Sequence, residues 1–216
     1  MNFSQNFKEI QLPLHGVRLP DFEISNEEKR FVKASESCDN FSFLRILAEA
    51  GLKSKNLQDN QDYLNRLNYE LEIIKDLGFT DYILLVWDVI NFCNRQHIPT
   101  GLGRGSAAGS LTLYLCGVTK IDPIKYGLYF ERFISKTRAK KQVVDGITYL
   151  DGSLMVDVDL DICYYRRCEV LSYLENKFKG KTAKILTLNS LSGKLVIKEC
   201  GKIIESKPEE EMTQVT

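Results

Sequence analysis

Between Leu154 and Ile162, aspartate and aliphatic side chains alternate: Leu154-Met155-Val156-Asp157-Val158-Asp159-Leu160-Asp161-Ile162. On an extended chain, residues two apart share a face. Asp157, Asp159 and Asp161 therefore stand on one side, and Val156, Val158, Leu160 and Ile162 on the other. The apolar side has to pack on a core, so the segment is expected to be a strand with one buried face. The acidic side sets like charges about 7 Å apart in a row. That is unfavourable, and aspartate is a poor strand former. One reading is a solvated edge strand with an acidic face. The other, which the strict alternation favours, is a site for divalent cations, whose hard charge takes oxygen ligands and neutralises the row.

A second feature is the run Gly101-Leu102-Gly103-Arg104-Gly105-Ser106-Ala107-Ala108-Gly109-Ser110, which leads into an expected helix over Leu111–Leu115. Glycines let a backbone approach a phosphate closely, and free N–H groups at a helix start attract anions. Arg104 adds a forked charge and Ser106 a hydroxyl. No Gly-Lys-Ser/Thr follows, so this is not a Walker motif, and the glycine spacing is not that of a dinucleotide fingerprint. The structural alternative is a Gly-rich turn ahead of a tightly packed helix. A phosphate cradle and a carboxylate set for a divalent metal are together the parts for phosphoryl or nucleotidyl transfer. Metal bridges phosphate oxygens and activates the attacking hydroxyl, while cationic side chains absorb developing charge.

Charge is balanced overall, with 29 basic and 29 acidic residues in 216, yet its distribution is uneven. Residues 1–93 carry 10 basic and 15 acidic side chains, residues 94–141 carry 9 and 2, and residues 142–216 carry 10 and 12. The central basic block, with Lys120, Lys125, Arg132, Lys136, Arg138, Lys140 and Lys141, is either a solvated surface or a phosphate-contacting one. A hydrophobic share of 44% and a charged share of 27% exclude a wholly disordered chain. Cys38, Cys93, Cys116, Cys163, Cys168 and Cys200 form no CxxC pair, which argues against structural zinc and for reduced thiols. No apolar run approaches the roughly 18 residues of a membrane span, and the N-terminus lacks the pattern of a signal peptide. A cytosolic protein without membrane association is expected.

Along the chain, residues 1–25 read as an extended lead-in, and a helix is expected to start at Ser25-Asn26-Glu27-Glu28. Phe41–Ala50 is expected to be a helix closed by Gly51. Leu64, Leu67, Leu71, Ile74 and Leu77 form one helical stripe stopped by Gly78. Asp81–Gln96 reads as a buried helix. Val143–Leu150 reads as a hairpin turning at Asp145-Gly146. A helix over Arg166–Lys177, a short strand over Lys184–Thr187 and a helix over Ser190–Gly201 follow, and the tail from Lys207 shows no closing element.

Several of these residues, in this order, carry a family likeness. Gly103 to Ser110, Asp122-Pro123, Phe130-Glu131-Arg132-Phe133 and Asp157-Val158-Asp159-Leu160-Asp161 closely resemble the palm of the C family of replicative DNA polymerases, that of the bacterial DNA polymerase III alpha subunit. Gly78 to Tyr82 and Ile98-Pro99 upstream match as well, as do Ile185-Leu186-Thr187 and Lys194 to Gly201 downstream, so the likeness covers residues 12–216. It implies an α+β (α/β) fold: a polymerase beta-like nucleotidyltransferase palm with a mixed sheet flanked by helices, and a helical N-terminal part. Residues 1–12 would be a lead-in or the remnant of a missing N-terminal domain, 13–190 the palm, and 191–216 the truncated beginning of a thumb. The likeness assigns Arg104, Gly105, Ser106 and Arg132 to the incoming triphosphate, with Gly103 and Lys194 supporting. It assigns Asp157 and Asp159 to catalysis through two bound Mg2+ ions, with Asp161 as a supporting metal residue. Implied partners are a dNTP, primer–template DNA and, in a complete enzyme, a sliding clamp and other replisome subunits. The implied location is bacterial cytoplasm, or host cytoplasm for a phage-encoded chain.

The chain also departs from the family. Val156 stands where the family usually has proline, and the connection from Arg132 to Asp157 is longer than usual, the Asp145-Gly146 hairpin supplying the excess. Both suit a divergent branch, such as a phage-encoded one. The family's third catalytic aspartate and its fingers lie beyond Thr216. The expectation is thus a DNA-directed DNA polymerase fragment that carries out template-directed nucleotidyl transfer in a complete enzyme and is inactive or very weak alone. The alternatives are one half of a split polymerase, or a non-catalytic nucleotide- or DNA-binding remnant. The joint presence of Arg104, Arg132, Asp157 and Asp159 disfavours the remnant.

Overall fold

The computed structural model describes residues 17–18, 21–135, 141–144, 147–150, 156–184 and 190–215. Its core grows from the helical stripe at Leu67, Leu71, Ile74 and Leu77. These side chains are buried on helix α3 (Gln61–Leu77), which Asn60 caps at the start and Gly78 ends in the left-handed region at φ 79°. Helix α2 (Asn40–Ser54), capped by Asp39, and helix α4 (Thr80–Arg95) complete this layer. Their buried faces include Phe43, Leu44, Leu47, Ile83, Leu84, Trp87 and Ile90. Burying each such side chain is worth about 1.5–3 kcal/mol before entropy is charged against it. A short helix α1 (Asn26–Phe31) begins with a reciprocal Ser25–Glu28 capping box.

Gly51 does not end α2, contrary to the sequence expectation; the helix runs on to Ser54. A Cβ on Gly51 would run into the backbone of Leu115 in helix α5 (Leu111–Leu115). The glycine is there for close helix packing. Phe130, Ile134 and Leu113 are buried alongside.

The sheet corrects the expected fold class. Strands β1 (Val17–Arg18), β2 (Lys141–Val144) and β3 (Ile147–Leu150) form a small antiparallel sheet in the order β1-β3-β2. Val143 pairs with Thr148 and Val144 with Ile147, as the hairpin reading predicts; the Asp145-Gly146 turn itself lies outside the described residues. The described residues are otherwise mainly helical, and the mixed sheet of an α+β palm is not found among them. The acidic segment is the reason. Over 156–161 it forms no strand, and Ile162 makes one isolated bridge to Thr100. Gly101 donates its N–H to the Asp161 carbonyl and Cys163 donates to that of Pro99, so a loop rather than a strand meets this backbone. The alternation survives only in part in the side chains: Val156 is buried and Asp157 and Asp161 are exposed, while Val158, Asp159 and Leu160 are all half-buried. Leu160 and Ile162 pack on Val89, Cys93 and Ile98 of the α4 region and on Val170 of helix α6 (Arg167–Lys177). Helix α6 is fixed further by Tyr173, whose ring stacks on Phe92 at 4.0 Å and whose hydroxyl donates to Asp88 at 2.8 Å.

The chain divides into two compact units, Met1–Asn176 and Lys177–Thr216. In the second, helix α7 (Gly193–Ile203) packs on helix α8 (Glu209–Val215), with Gly201 against Met212. Helix α8 occupies the tail in which the sequence showed no closing element. The strand expected over Lys184–Thr187 lies, except for Lys184, outside the described residues. No helix among the described residues is long and apolar enough to cross a membrane.

Candidate functional site

The two features singled out in the sequence meet in space. The Arg104 guanidinium reaches both Asp159 and Asp161: Nη2 lies 3.1 Å from Asp159 Oδ1, and Nε donates to Asp161 Oδ1 at 3.1 Å. Gly105 has φ +67° and sits against the Asp159 carboxylate, where an added Cβ would come within 3.2 Å of Oδ2. A side chain there would face both backbone strain and a crowded neighbour. The grouping is open to solvent, with Arg104 57%, Asp159 36% and Asp161 59% exposed. Asp157 is exposed on the same segment and close to Tyr82 of α4. Burial first, then the charge of Asp157, push the Tyr82 hydroxyl above its usual range, while a hydrogen bond with the Val158 backbone opposes them.

Gly103, Gly105 and Ser106 flank Arg104, with Gly105–Gly109 forming a short 3-10 helix. The amides at the start of α5 are already occupied, however. Leu111 and Thr112 donate their N–H groups to the Glu70 carboxylate at 2.9 Å each. Any phosphate cradle here is therefore Arg104 and the backbone around Gly103–Ser106, not the α5 terminus. Arg132 is exposed at the end of a turn, Phe130–Arg132, that is anchored by the buried Phe130 ring. No ion pair among the described residues joins Asp157 or Arg132 to the Arg104 group. Lys194 lies in the first turn of α7, in the second unit. Of the basic block, Lys120 donates to the Thr100 carbonyl at 3.2 Å, and Lys136, Arg138 and Lys140 lie outside the described residues.

The donor set fits magnesium in its chemistry. Asp157 and Asp159 offer carboxylate oxygens with solvent access, and Mg2+ is commonly held by one or two carboxylates completed by substrate phosphates and water. Among the described residues no three metal-capable side chains gather at one point. The Arg104 guanidinium supplies the positive charge beside Asp159 and Asp161.

Helix α3 braces the loops around this grouping through polar residues that the sequence reading passed over. Tyr63 donates to Asp122 at 2.7 Å, Tyr69 donates to Glu131 at 2.8 Å, and Arg66 donates to the carbonyls of Gly109 and Leu128 at 3.0 and 3.1 Å. Glu70 is fully buried; burial raises its pKa, against the opposing pull of the Thr112 and Leu111 amides and of Arg66. The available signal was that Tyr63, Arg66 and Glu70 recur at helical spacing beside the apolar stripe.

Comparison with known proteins agrees with this arrangement of motifs. Residues 42–216 match the model of the bacterial DNA polymerase III alpha NTPase domain. The DNA polymerase III subunit alpha of Bacillus subtilis (strain 168) is 34% identical over 202 residues, covering 93% of this chain and 16% of that protein. Its counterpart from Aquifex aeolicus (strain VF5) is 38% identical over 165 residues, covering 74% and 13%, and that from Borreliella burgdorferi is 33% identical over 206 residues, covering 95% and 16%. The chain thus spans a minor part of the length of these relatives. With most of its length inside the family model, the chain belongs to the bacterial DNA polymerase III alpha NTPase domain family.

Proposed function

We propose that this chain carries the triphosphate- and magnesium-binding part of a DNA-directed DNA polymerase, working on a dNTP and primer–template DNA. The observation that carries this reading is the meeting of the Gly-rich loop with the acidic segment, Arg104 lying 3.1 Å from both Asp159 and Asp161. In the reaction, the primer 3′-oxygen forms a bond to the α-phosphorus of the dNTP, the bond to the pyrophosphate leaving group breaks, and the hydroxyl proton is lost. Asp157 and Asp159 are the residues that would hold Mg2+. Bound there, such ions would supply a lowered pKa for the hydroxyl and positive charge against the triphosphate. Arg104 binds and orients the phosphates through its fork, and Arg132 adds a second cation from the Phe130–Arg132 turn. Gly103, Gly105 and Ser106 let the backbone approach, and Asp161 holds Arg104 in place until phosphate takes it over. Lys194 and a sliding clamp belong to the assembled polymerase.

Calorimetric titration of the 216-residue chain with dATP and Mg2+ tests this. Binding is expected in the wild type and lost in Arg104→Ala and Asp159→Asn, with primer extension by the chain alone very weak. Binding untouched by both substitutions, or none in the wild type, would sink the reading.

A further inference from the structure

The two cationic residues assigned above to the triphosphate lie on segments far apart in sequence, Gly103–Ser106 and Phe130–Arg132. One side chain joins the backbone that follows the first, at Gly109, to the backbone that precedes the second, at Leu128. Arg66 Nη2 donates to the carbonyl of Gly109 at 3.0 Å and to that of Leu128 at 3.1 Å, while its Nε donates to Glu70 Oε1 at 2.8 Å. Glu70 in turn accepts from Ser110 Oγ, the Leu111 and Thr112 amides and Thr112 Oγ1, all at 2.9–3.0 Å. On the other side, Tyr69 donates to Glu131 and sets its ring edge-on to Phe130 at 6.2 Å. The segments touch where the clamp sits: a Cβ on Gly109 would lie 2.6 Å from the Tyr129 carbonyl oxygen.

We propose that Arg66, seated by Glu70 and assisted by Tyr69, is a positioning residue that fixes the spacing between the Arg104 loop and the Arg132 turn. Burial alone does not ask for this arrangement. A single guanidinium joins two carbonyls from different segments and a fully buried carboxylate, which needs a rigid planar fork. Lysine, with a point charge, can keep the pair with Glu70 but not all three partners. A triphosphate gripped from both sides depends on that spacing, and a misplacement of about 1 Å can cost a positioned reactant about a hundredfold in rate. The functional half of the proposal rests on the triphosphate reading above; the clamp itself does not.

Arg66→Lys and Tyr69→Phe in the full chain separate the two. In Arg66→Lys, hydrogen exchange is expected to rise together in residues 105–112 and 128–133 while α2 and α4 stay protected, and in Tyr69→Phe it rises in 128–133 only. Affinity for Mg2+–dATP is expected to fall about tenfold or more in Arg66→Lys, with the melting temperature close to the wild type's. Exchange that rises in one segment only in Arg66→Lys, or in neither, overturns the clamp. A lowered melting temperature with unchanged dATP affinity marks a purely structural residue and overturns the positioning role. Wild-type chain that binds no dATP refutes the triphosphate reading, and the exchange pattern still decides the clamp. Should Arg66→Lys fail to fold, the same exchange comparison on Arg66→Gln decides: no joint rise in 105–112 and 128–133 overturns the proposal.

Discussion

Two of the carboxylate–guanidinium groupings among the described residues of the first unit, Arg66 with Glu70 and Arg104 with Asp159 and Asp161, are built from the same functional groups and opposite in character. Arg66 and Glu70 meet at 2.8 Å with side chains 22% and 0% exposed. Arg104 meets Asp159 and Asp161 at 3.1 Å with all three side chains more than a third exposed. Glu70 accepts from Arg66, Ser110 Oγ, Leu111 N, Thr112 N and Thr112 Oγ1, so both oxygens are satisfied in a dry place. Asp159 and Asp161 keep free faces toward water, where charge is screened and an ion pair has little net worth. The buried grouping cannot let go without leaving a bare charge in the core. The exposed one can exchange guanidinium for another cation at little cost. One is architecture, and the other is the grouping that the proposed triphosphate site uses.

The sharpest way to break this contrast is Glu70→Ala. It strips the acceptor from Arg66, Ser110 and the first amides of α5. Removing one partner of a buried pair costs about 3–5 kcal/mol, a large share of the roughly 5–15 kcal/mol that holds a domain folded. Urea unfolding followed by circular dichroism should show a loss of that size or a chain that no longer folds. A loss below about 1 kcal/mol, the range of an exposed pair, would put Glu70 in the same class as Asp159 and erase the distinction.

The same contrast explains what could be read from the sequence. The Gly-rich loop and the acidic alternation announced themselves because both patterns are local, and the structure sets Arg104 and Gly105 against Asp159. The helices were legible for the same reason: α3 follows its stripe and ends at Gly78. What was not legible is non-local. Leu154–Ile162 has the period of a strand, but a strand also needs a partner, and over 156–161 the described structure provides only the Pro99–Gly101 loop. Gly51 looked like a stop because its reason, the Leu115 backbone pressed against it, lies far along the chain. Arg66 and Glu70 stand four apart beside the apolar stripe, and nothing local in the sequence marks them as buried. Only the fold shows that Gly109, Ser110, Leu111, Thr112 and Leu128 converge on them.

Between the two extremes stands Tyr63, a buried residue whose hydroxyl donates to Asp122 at 2.7 Å. Burial first, then the hydrogen bond to Asp122 and its charge, push this hydroxyl from its ordinary 10.0 up to about 12. A group whose pKa is raised by folding contributes stability that is fully present below its unfolded value. The contribution is lost as pH climbs through the folded value. The wild type should therefore shed this contribution between pH 10.0 and about 12, whereas Tyr63→Phe has none to lose. At neutral pH, Tyr63→Phe should cost about 0.5–1.5 kcal/mol, the net worth of one hydrogen bond. Denaturation of both proteins across that alkaline range is the measurement, and parallel curves would remove Tyr63 from the brace.

The smallest effect on folding belongs to Asp161→Asn. Its side chain is 59% exposed and shares Arg104 with Asp159, so the substitution leaves Arg104 one carboxylate and a neutral amide oxygen in place of the other. An exposed pair is worth about 0–1 kcal/mol and less at high salt, so urea midpoints of variant and wild type should nearly coincide. Its effect is read in binding rather than in folding. Arg104 is held less firmly, so the affinity of the chain for Mg2+–dATP should stay the same or tighten, while folding barely changes. A destabilisation as large as that of Glu70→Ala would show that the Arg104 grouping is a fixed strut, and the exchange of guanidinium for metal and phosphate at Asp159 would lose its physical basis.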